Sequence, residues 1–250
     1  MHSNYVDKIA TSFNRAHQSY DEGCFIQNNA CDKLISNLLK VTNQFDTIAD
    51  FGCGTGASSV KINKNFNYNQ CFAVDSAQEL LECCKAKVAN DTSCVEADFN
   101  NQIFDDDQLS LVFANMSLQW CYAWPLLLDK IYAQLKDGGI LAFSIPLDGT
   151  FAALKKQFRN DFLTPIELKR MLNESHFSLI TEEIMDTDVP FKNPMSAIKH
   201  IKQVGANTLQ LGSVSNRGLL TRNTIKHFFK DPNHYNLSYK IGIFIAKKGN

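Results

Sequence analysis

The chain has 250 residues, 44% of them hydrophobic, 20% charged and 11% aromatic, which fits one α/β domain with an appendage and excludes both a disulfide-stapled miniprotein and a mainly disordered chain. No apolar run approaches the ~18–20 residues that span a bilayer, so no membrane partner is expected. The formal net charge of −1 argues against a nucleic-acid partner, but it hides an asymmetry: residues 1–150 carry 10 Lys/Arg against 18 Asp/Glu, and residues 151–250 carry 15 against 8.

Tyr5, Ile9, Phe13 and Ala16 recur at helical spacing, which predicts an amphipathic helix over 5–20, and a second helix is expected over 25–40. Thr47 to Phe51 reads as a short apolar strand ending in glycines, and Gln70 to Asp75 as the next strand. Ser76-Ala-Gln-Glu79 has the form of a capping box and predicts a helix running to about Val88. Strands are expected near 93–97 and 109–114, then a helix over 123–136, a turn at Lys136-Asp-Gly-Gly139 and a strand over Ile140–Ile145. This alternation is the signature of a parallel sheet. After Pro146, Thr164-Pro165-Ile-Glu167 combines a cap, a proline at the first helical position and an acid at the third. A strand over 177–189, helices over 194–206 and 222–230, and a late strand from Leu237 to Lys247 complete the pattern. The two late strands predict an antiparallel hairpin at one sheet edge, carrying an inserted lid.

Met1 to Glu22 places Asp7, Lys8, Asn14, Arg15 and Gln18 among its apolar residues, unlike a signal-peptide core, so a cytoplasmic protein is expected. The eight cysteines (24, 31, 53, 71, 83, 84, 94, 121) form no Cys-x-x-Cys pair and no zinc-finger spacing, so no metal is expected. They read as reduced, structural thiols, with the vicinal pair Cys83-Cys84 packing on a helix.

The strongest local signal is Asp50-Phe-Gly52-Cys53-Gly54-Thr-Gly56, which follows a strand and opens a helix. The dinucleotide fingerprint requires Gly-x-Gly-x-x-Gly, whereas here the spacing is Gly-x-Gly-x-Gly and position 57 is Ala. Asp50 would repel a pyrophosphate and suits a cationic ligand. Asp75 ends the second strand, where an acid accepts hydrogen bonds from ribose hydroxyls, and Ser76 follows it. Asp98 ends the third strand, where it can take an adenine amino proton, with Phe99 covering the ring. Asn115 ends the fourth strand. Together these positions describe a pocket for an adenosine with a positively charged tail, S-adenosylmethionine.

Residues 46–145 accordingly resemble the class I S-adenosylmethionine-dependent methyltransferases, through the loop Asp50 to Gly56, the acids Asp75 and Asp98, and the turn Leu135 to Gly139. The resemblance implies a Rossmann-like α/β fold with a seven-stranded sheet whose last strand is antiparallel. A closer resemblance runs along nearly the whole chain. Phe13-Asn-Arg15-Ala16 through Tyr20, Asn115-Met-Ser-Leu-Gln119-Trp120-Cys121, Phe162-Leu-Thr164-Pro165, Lys202-Gln-Val-Gly205-Ala-Asn207, Leu220-Thr-Arg222 and Tyr235-Asn-Leu-Ser-Tyr239 are similar to the malonyl-acyl carrier protein O-methyltransferases of biotin synthesis. This implies a single domain: an N-terminal helical cap over 1–45, a cofactor-binding core over 46–146, a lid over 147–235 and a final strand over 236–250.

The implied reaction gives a methyl ester of the free malonyl carboxylate. A carboxylate with a pKa near ~4 is already ionised at pH 7, so no general base is required and none is evident. Gln119 and Trp120 are the first candidates for the substrate end of the pocket, with Arg15, Tyr20, Arg222 and Tyr239 as further positioning candidates. Between Lys192 and Lys230 the chain carries Lys192, Lys199, Lys202, Arg217, Arg222, Lys226 and Lys230 and no acid, which is the docking stretch expected for an acidic acyl carrier protein. Two other readings stand beside this one: a methyltransferase acting on a small carboxylate or other metabolite, and a module that binds S-adenosylmethionine without turnover. Nucleic-acid methylation is disfavoured, because no Asn-Pro-Pro-Tyr or Asp-Pro-Pro-Tyr follows the fourth strand.

Overall fold

The computed structural model describes residues 23–156, 159–203, 229–231 and 235–249. Its elements, in chain order, are α1 (Phe25–Leu39), β1 (Thr47–Phe51), α2 (Ala57–Asn65), β2 (Gln70–Asp75), α3 (Gln78–Lys85), β3 (Thr92–Glu96), β4 (Leu109–Asn115), a 3₁₀ turn (Leu118–Trp120), α4 (Trp124–Gln134), β5 (Leu135–Pro146), α5 (Pro165–Glu174), β6 (Phe177–Val189), α6 (Pro194–Gln203) and β7 (Leu237–Lys248). The helix expected over 5–20 lies outside the described residues.

All seven strands join one sheet in the order β3-β2-β1-β4-β5-β7-β6. β1 to β5 run parallel, and β7 enters antiparallel between β5 and β6. The expected α/β sheet with an antiparallel last strand is therefore the one that forms. Helices cover both faces, which is why the central strands are apolar at nearly every position. Leu111, Phe113, Ile243 and Ile245 pack under α1 and α2 on one face, and Val112, Ala114, Phe244 and Ala246 under α4 and α5 on the other. The strand order reverses between β1 and β4. That places the crevice of an open α/β sheet at their carboxyl ends, where the glycine loop begins.

Four expectations about the elements need correction. Ser76 caps nothing: the N-cap of α3 is Ala77, with no side-chain cap, and the helix stops at Lys85 rather than near Val88. With the N-cap one residue later than the box requires, Ser76 lies outside the helix, and the Asp75 carboxylate holds the Ala77 N–H at 2.8 Å. The turn expected at 136–139 is a bulge within β5, where Leu109 pairs with Leu135 and Leu111 with Ile140. Strand pairing on both sides of that bulge keeps the segment within β5, with Gly138 at φ 72° where the chain bulges, and α4 ends at Gln134. Of the helix expected over 222–230, only the last two residues are described, and there Phe229 bridges antiparallel to Leu154. Thr164 does form its capping box with Glu167, as expected. Among the described residues no helix is long and apolar enough to cross a membrane.

Candidate functional site

The loop between β1 and α2 turns on three glycines with positive φ. Gly52 must be glycine twice over: its φ is 74°, and a Cβ there would sit 2.4 Å from Cβ of Ser117. Gly56 (φ 88°) likewise leaves room only for Cys84, whose Sγ would be 2.8 Å from an added Cβ. The Gly52 and Cys53 amides donate to Val74 O at 2.8 and 3.0 Å, which pins the loop to the end of β2. The Cys53 side chain turns downward into a buried cluster with Ala73, Leu81 and Cys84.

Asp50 is fully buried in β1. Its Oδ2 accepts the hydroxyls of Ser58 and Ser59, both at 2.6 Å, at the start of α2, while its Oδ1 has no hydrogen-bond partner. Desolvation raises its pKa to about 6 against the lowering effect of the two serines. The serine pair was not foreseen, although two small hydroxyls in the first turn after a glycine loop are a readable sign.

Asp75 ends β2 with Oδ2 accepting the Gly54 N–H at 2.8 Å and Oδ1 accepting the Ala77 N–H. Burial raises its pKa, and the backbone donors of Ala77, Gly54 and Ser76 oppose that. Each oxygen keeps a lone pair for a ribose hydroxyl. Asp98 binds the backbone and side-chain nitrogens of Asn100 through Oδ1 alone, at 2.9 and 2.8 Å. Phe99 stacks 6.4 Å from Phe51, with its edge toward Gly52.

At the end of β4 the Asn115 amide is already engaged. Its Nδ2 donates to Gln27 O at 3.1 Å and its Oδ1 accepts from Ser144 at 2.7 Å, so the residue ties α1 to β4 and β5. Ser117 donates to Phe51 O at 2.6 Å. Gln119 and Trp120 are buried in the 3₁₀ turn, and Gln119 Nε2 donates to Met116 O at 2.7 Å. Beside them opens a cavity of about 140 Å³, lined by Gln119, Tyr122, Trp124, Ile145 and Leu163, with Asp161 at its side.

The structure does not bring every candidate together. Tyr239 is buried, and its hydroxyl lies 2.8 Å from His200 Nε2, between the rings of Phe151 and His200, so it is committed to the fold rather than free for substrate. His200, whose pKa burial lowers, was not singled out in the sequence. Arg15, Tyr20 and Arg222 lie outside the described residues. All eight cysteines are free.

Residues 49–143 match the family model for a methyltransferase domain. The chain is 37% identical over 243 residues to malonyl-acyl-carrier protein O-methyltransferase 2 of Coxiella burnetii, covering 96% of both chains. The chain belongs to the malonyl-acyl carrier protein O-methyltransferase family. The enzyme of that name from Enterobacter lignolyticus is 30% identical, covering 88% of each chain. Among solved structures, the YcgJ protein of Bacillus subtilis superposes with a TM-score of 0.65 at 12% identity, covering 88% of this chain and 99% of that one. An S-adenosylmethionine-dependent methyltransferase of Thermotoga maritima gives 0.58 at 11% identity, covering 97% and 100%. At such identities these two show the fold alone.

The methyl donor of this methyltransferase is S-adenosylmethionine, and the residues present fit it. The unpartnered Asp50 Oδ1 is buried beneath a loop where Gly52 and Gly56 leave no room for side chains, and Asp75 retains acceptor capacity at the strand end.

Proposed function

We propose that this methyltransferase esterifies the free carboxylate of malonyl-acyl carrier protein, giving the malonyl methyl ester that enters the early steps of biotin synthesis. The observation that carries this reading is the 37% identity over 96% of both chains to an enzyme of that name. Bound S-adenosylmethionine supplies an electrophilic methyl on a sulfonium, and the carboxylate is ionised without help. The protein's share of the work is to position and to enclose. Asp75 and Asp98 hold the nucleoside end, the glycine loop holds the methionine end, and Gln119 and Trp120 face the reacting carboxylate. Alignment alone can supply roughly 7–11 kcal/mol. Closure over a cation and an anion that neutralise one another adds to it. The N-terminal cap and the 147–235 region are the lid in this reading.

Asp161 puts a carboxylate beside the cavity near Gln119, so the cavity suits the neutral thioester arm rather than the malonyl anion. The carrier protein docks on the basic stretch, of which Lys192, Lys199 and Lys230 are exposed. The test is a methyl-transfer assay with malonyl-acyl carrier protein, malonyl coenzyme A and free malonate. The reading expects the first to be used most efficiently. Preference for free malonate would move the enzyme to small-molecule acids, and S-adenosylmethionine binding without turnover on any of the three would leave a binding module.

A further inference from the structure

Three thiols that methyl transfer does not use meet beneath the cofactor loop. Cys53 belongs to the loop, Cys84 to α3 and Cys94 to β3. Cys84 is buried and presses on Gly56, whereas Cys94 is half-exposed. Their sulfurs lie 4.0 Å apart, with the Cys94 thiol donating to Cys84. Cys53, packed in the same cluster, lowers the Cys84 pKa, which favours its thiolate, while burial holds Cys94 up at about 11.

We propose that Cys84 and Cys94 are an oxidation site for hydroperoxides, and that their disulfide loosens the cofactor loop. Cys94 is the point of entry. The Cys84 thiolate takes the Cys94 proton along their hydrogen bond as the Cys94 sulfur attacks a peroxide oxygen, the O–O bond breaks, and the departing hydroxide takes that proton from Cys84 to become water. The Cys84 thiolate then attacks the Cys94 sulfenic acid, the S–O bond breaks and a second water leaves. Two thiols and one hydrogen peroxide thus give one disulfide and two waters, the sulfurs losing the two electrons that the peroxide gains. A disulfide is about 2.05 Å long, so the sulfurs must close by roughly half their separation. Cys84 is the member that also supports Cys53 and Gly56, and drawing its sulfur toward Cys94 removes that support from the loop whose Gly54 amide binds Asp75.

The purified enzyme is treated with hydrogen peroxide at pH 8.5, blocked with an alkylating reagent and digested with trypsin. Lys85 and Lys87 separate the two cysteines in sequence, so their peptides stay together only through the bridge. A Cys83→Ser background removes the ambiguity of the vicinal thiol. The expected result is a Cys84–Cys94 linked peptide and a drop in S-adenosylmethionine affinity of roughly tenfold or more by calorimetry, both reversed by dithiothreitol. Cys94→Ser should bind the cofactor as the wild type does and keep that affinity through peroxide treatment. Cys84→Ser is not decisive, since Gly56 packs on that side chain. The absence of the linked peptide overturns the proposal. So does an affinity unchanged in its presence, or a loss of affinity that Cys94→Ser shares.

Discussion

Asp50 keeps a carboxylate at zero exposure with one of its two oxygens unpartnered, so its charge costs the fold stability. Its pKa is about 6 folded against 3.8 for the free group. The folded state therefore binds more protons between those values. The penalty is absent below about pH 4, grows as pH rises through 6 and is complete above it, reaching about 3 kcal/mol. Asn at this position can still accept both serine hydroxyls. We expect Asp50→Asn to raise the thermal midpoint relative to the wild type by an amount that grows from pH 4 to 6 and is level above 7. The same variant should bind S-adenosylmethionine more weakly by calorimetry. Asp75 behaves differently, because its carboxylate holds both the loop and α3. Asp75→Ala should lose roughly 1.5–3 kcal/mol of cofactor affinity for each ribose hydrogen bond and lower the melting temperature as well. An unchanged affinity would dismiss the ribose assignment. Tyr239→Phe leaves His200 Nε2 buried without its partner, which should cost about 1–3 kcal/mol in denaturant unfolding.

The capping box of α5 is a contribution made by one element: the Thr164 hydroxyl accepts the Glu167 N–H at 3.2 Å and the Glu167 carboxylate returns to the Thr164 N–H at 2.8 Å. Thr164→Ala should lower unfolding free energy by roughly 0.5–2 kcal/mol while leaving cofactor affinity at its wild-type value. This helix start was legible in the sequence because every group that forms it lies within four residues. Ser76 and Glu79 carry the same local pattern, yet no box forms, since the helix takes Ala77 as its N-cap, which leaves Ser76 outside it and Glu79 one position short of the third. Lys136-Asp-Gly-Gly139 reads as a turn for the same reason it fails as one: the decisive bonds come from β4, which local composition does not contain. The acids at the ends of β1 and β2 were readable because the strand ends were. The His200–Tyr239 contact, between residues 39 positions apart, has no local signature at all.

Across the whole molecule, the charge asymmetry gives an acidic cofactor half and a basic second half. Lys192 and Lys199 are exposed on and beside α6. Reversing both, as Lys192→Glu and Lys199→Glu, should raise the KM for malonyl-acyl carrier protein and leave kcat and turnover of malonyl coenzyme A nearly unchanged. Added salt should have the same effect on the wild type, because long-range steering is screened. Indifference to both would place docking elsewhere. The contact between Gly52 and Ser117 joins the two ends of the pocket: with Ser117 so close that no Cβ fits on Gly52, the cofactor loop cannot shift without moving the segment that carries Gln119. Thermodynamic linkage then requires reciprocity, so whatever factor the cofactor adds to acyl-substrate affinity, the acyl substrate adds to cofactor affinity. In the proposed site the spent donor, S-adenosylhomocysteine, takes the same loop. Its affinity in the presence of the acyl product should therefore change by the factor by which it changes the product's own affinity, which calorimetry in both orders of addition checks.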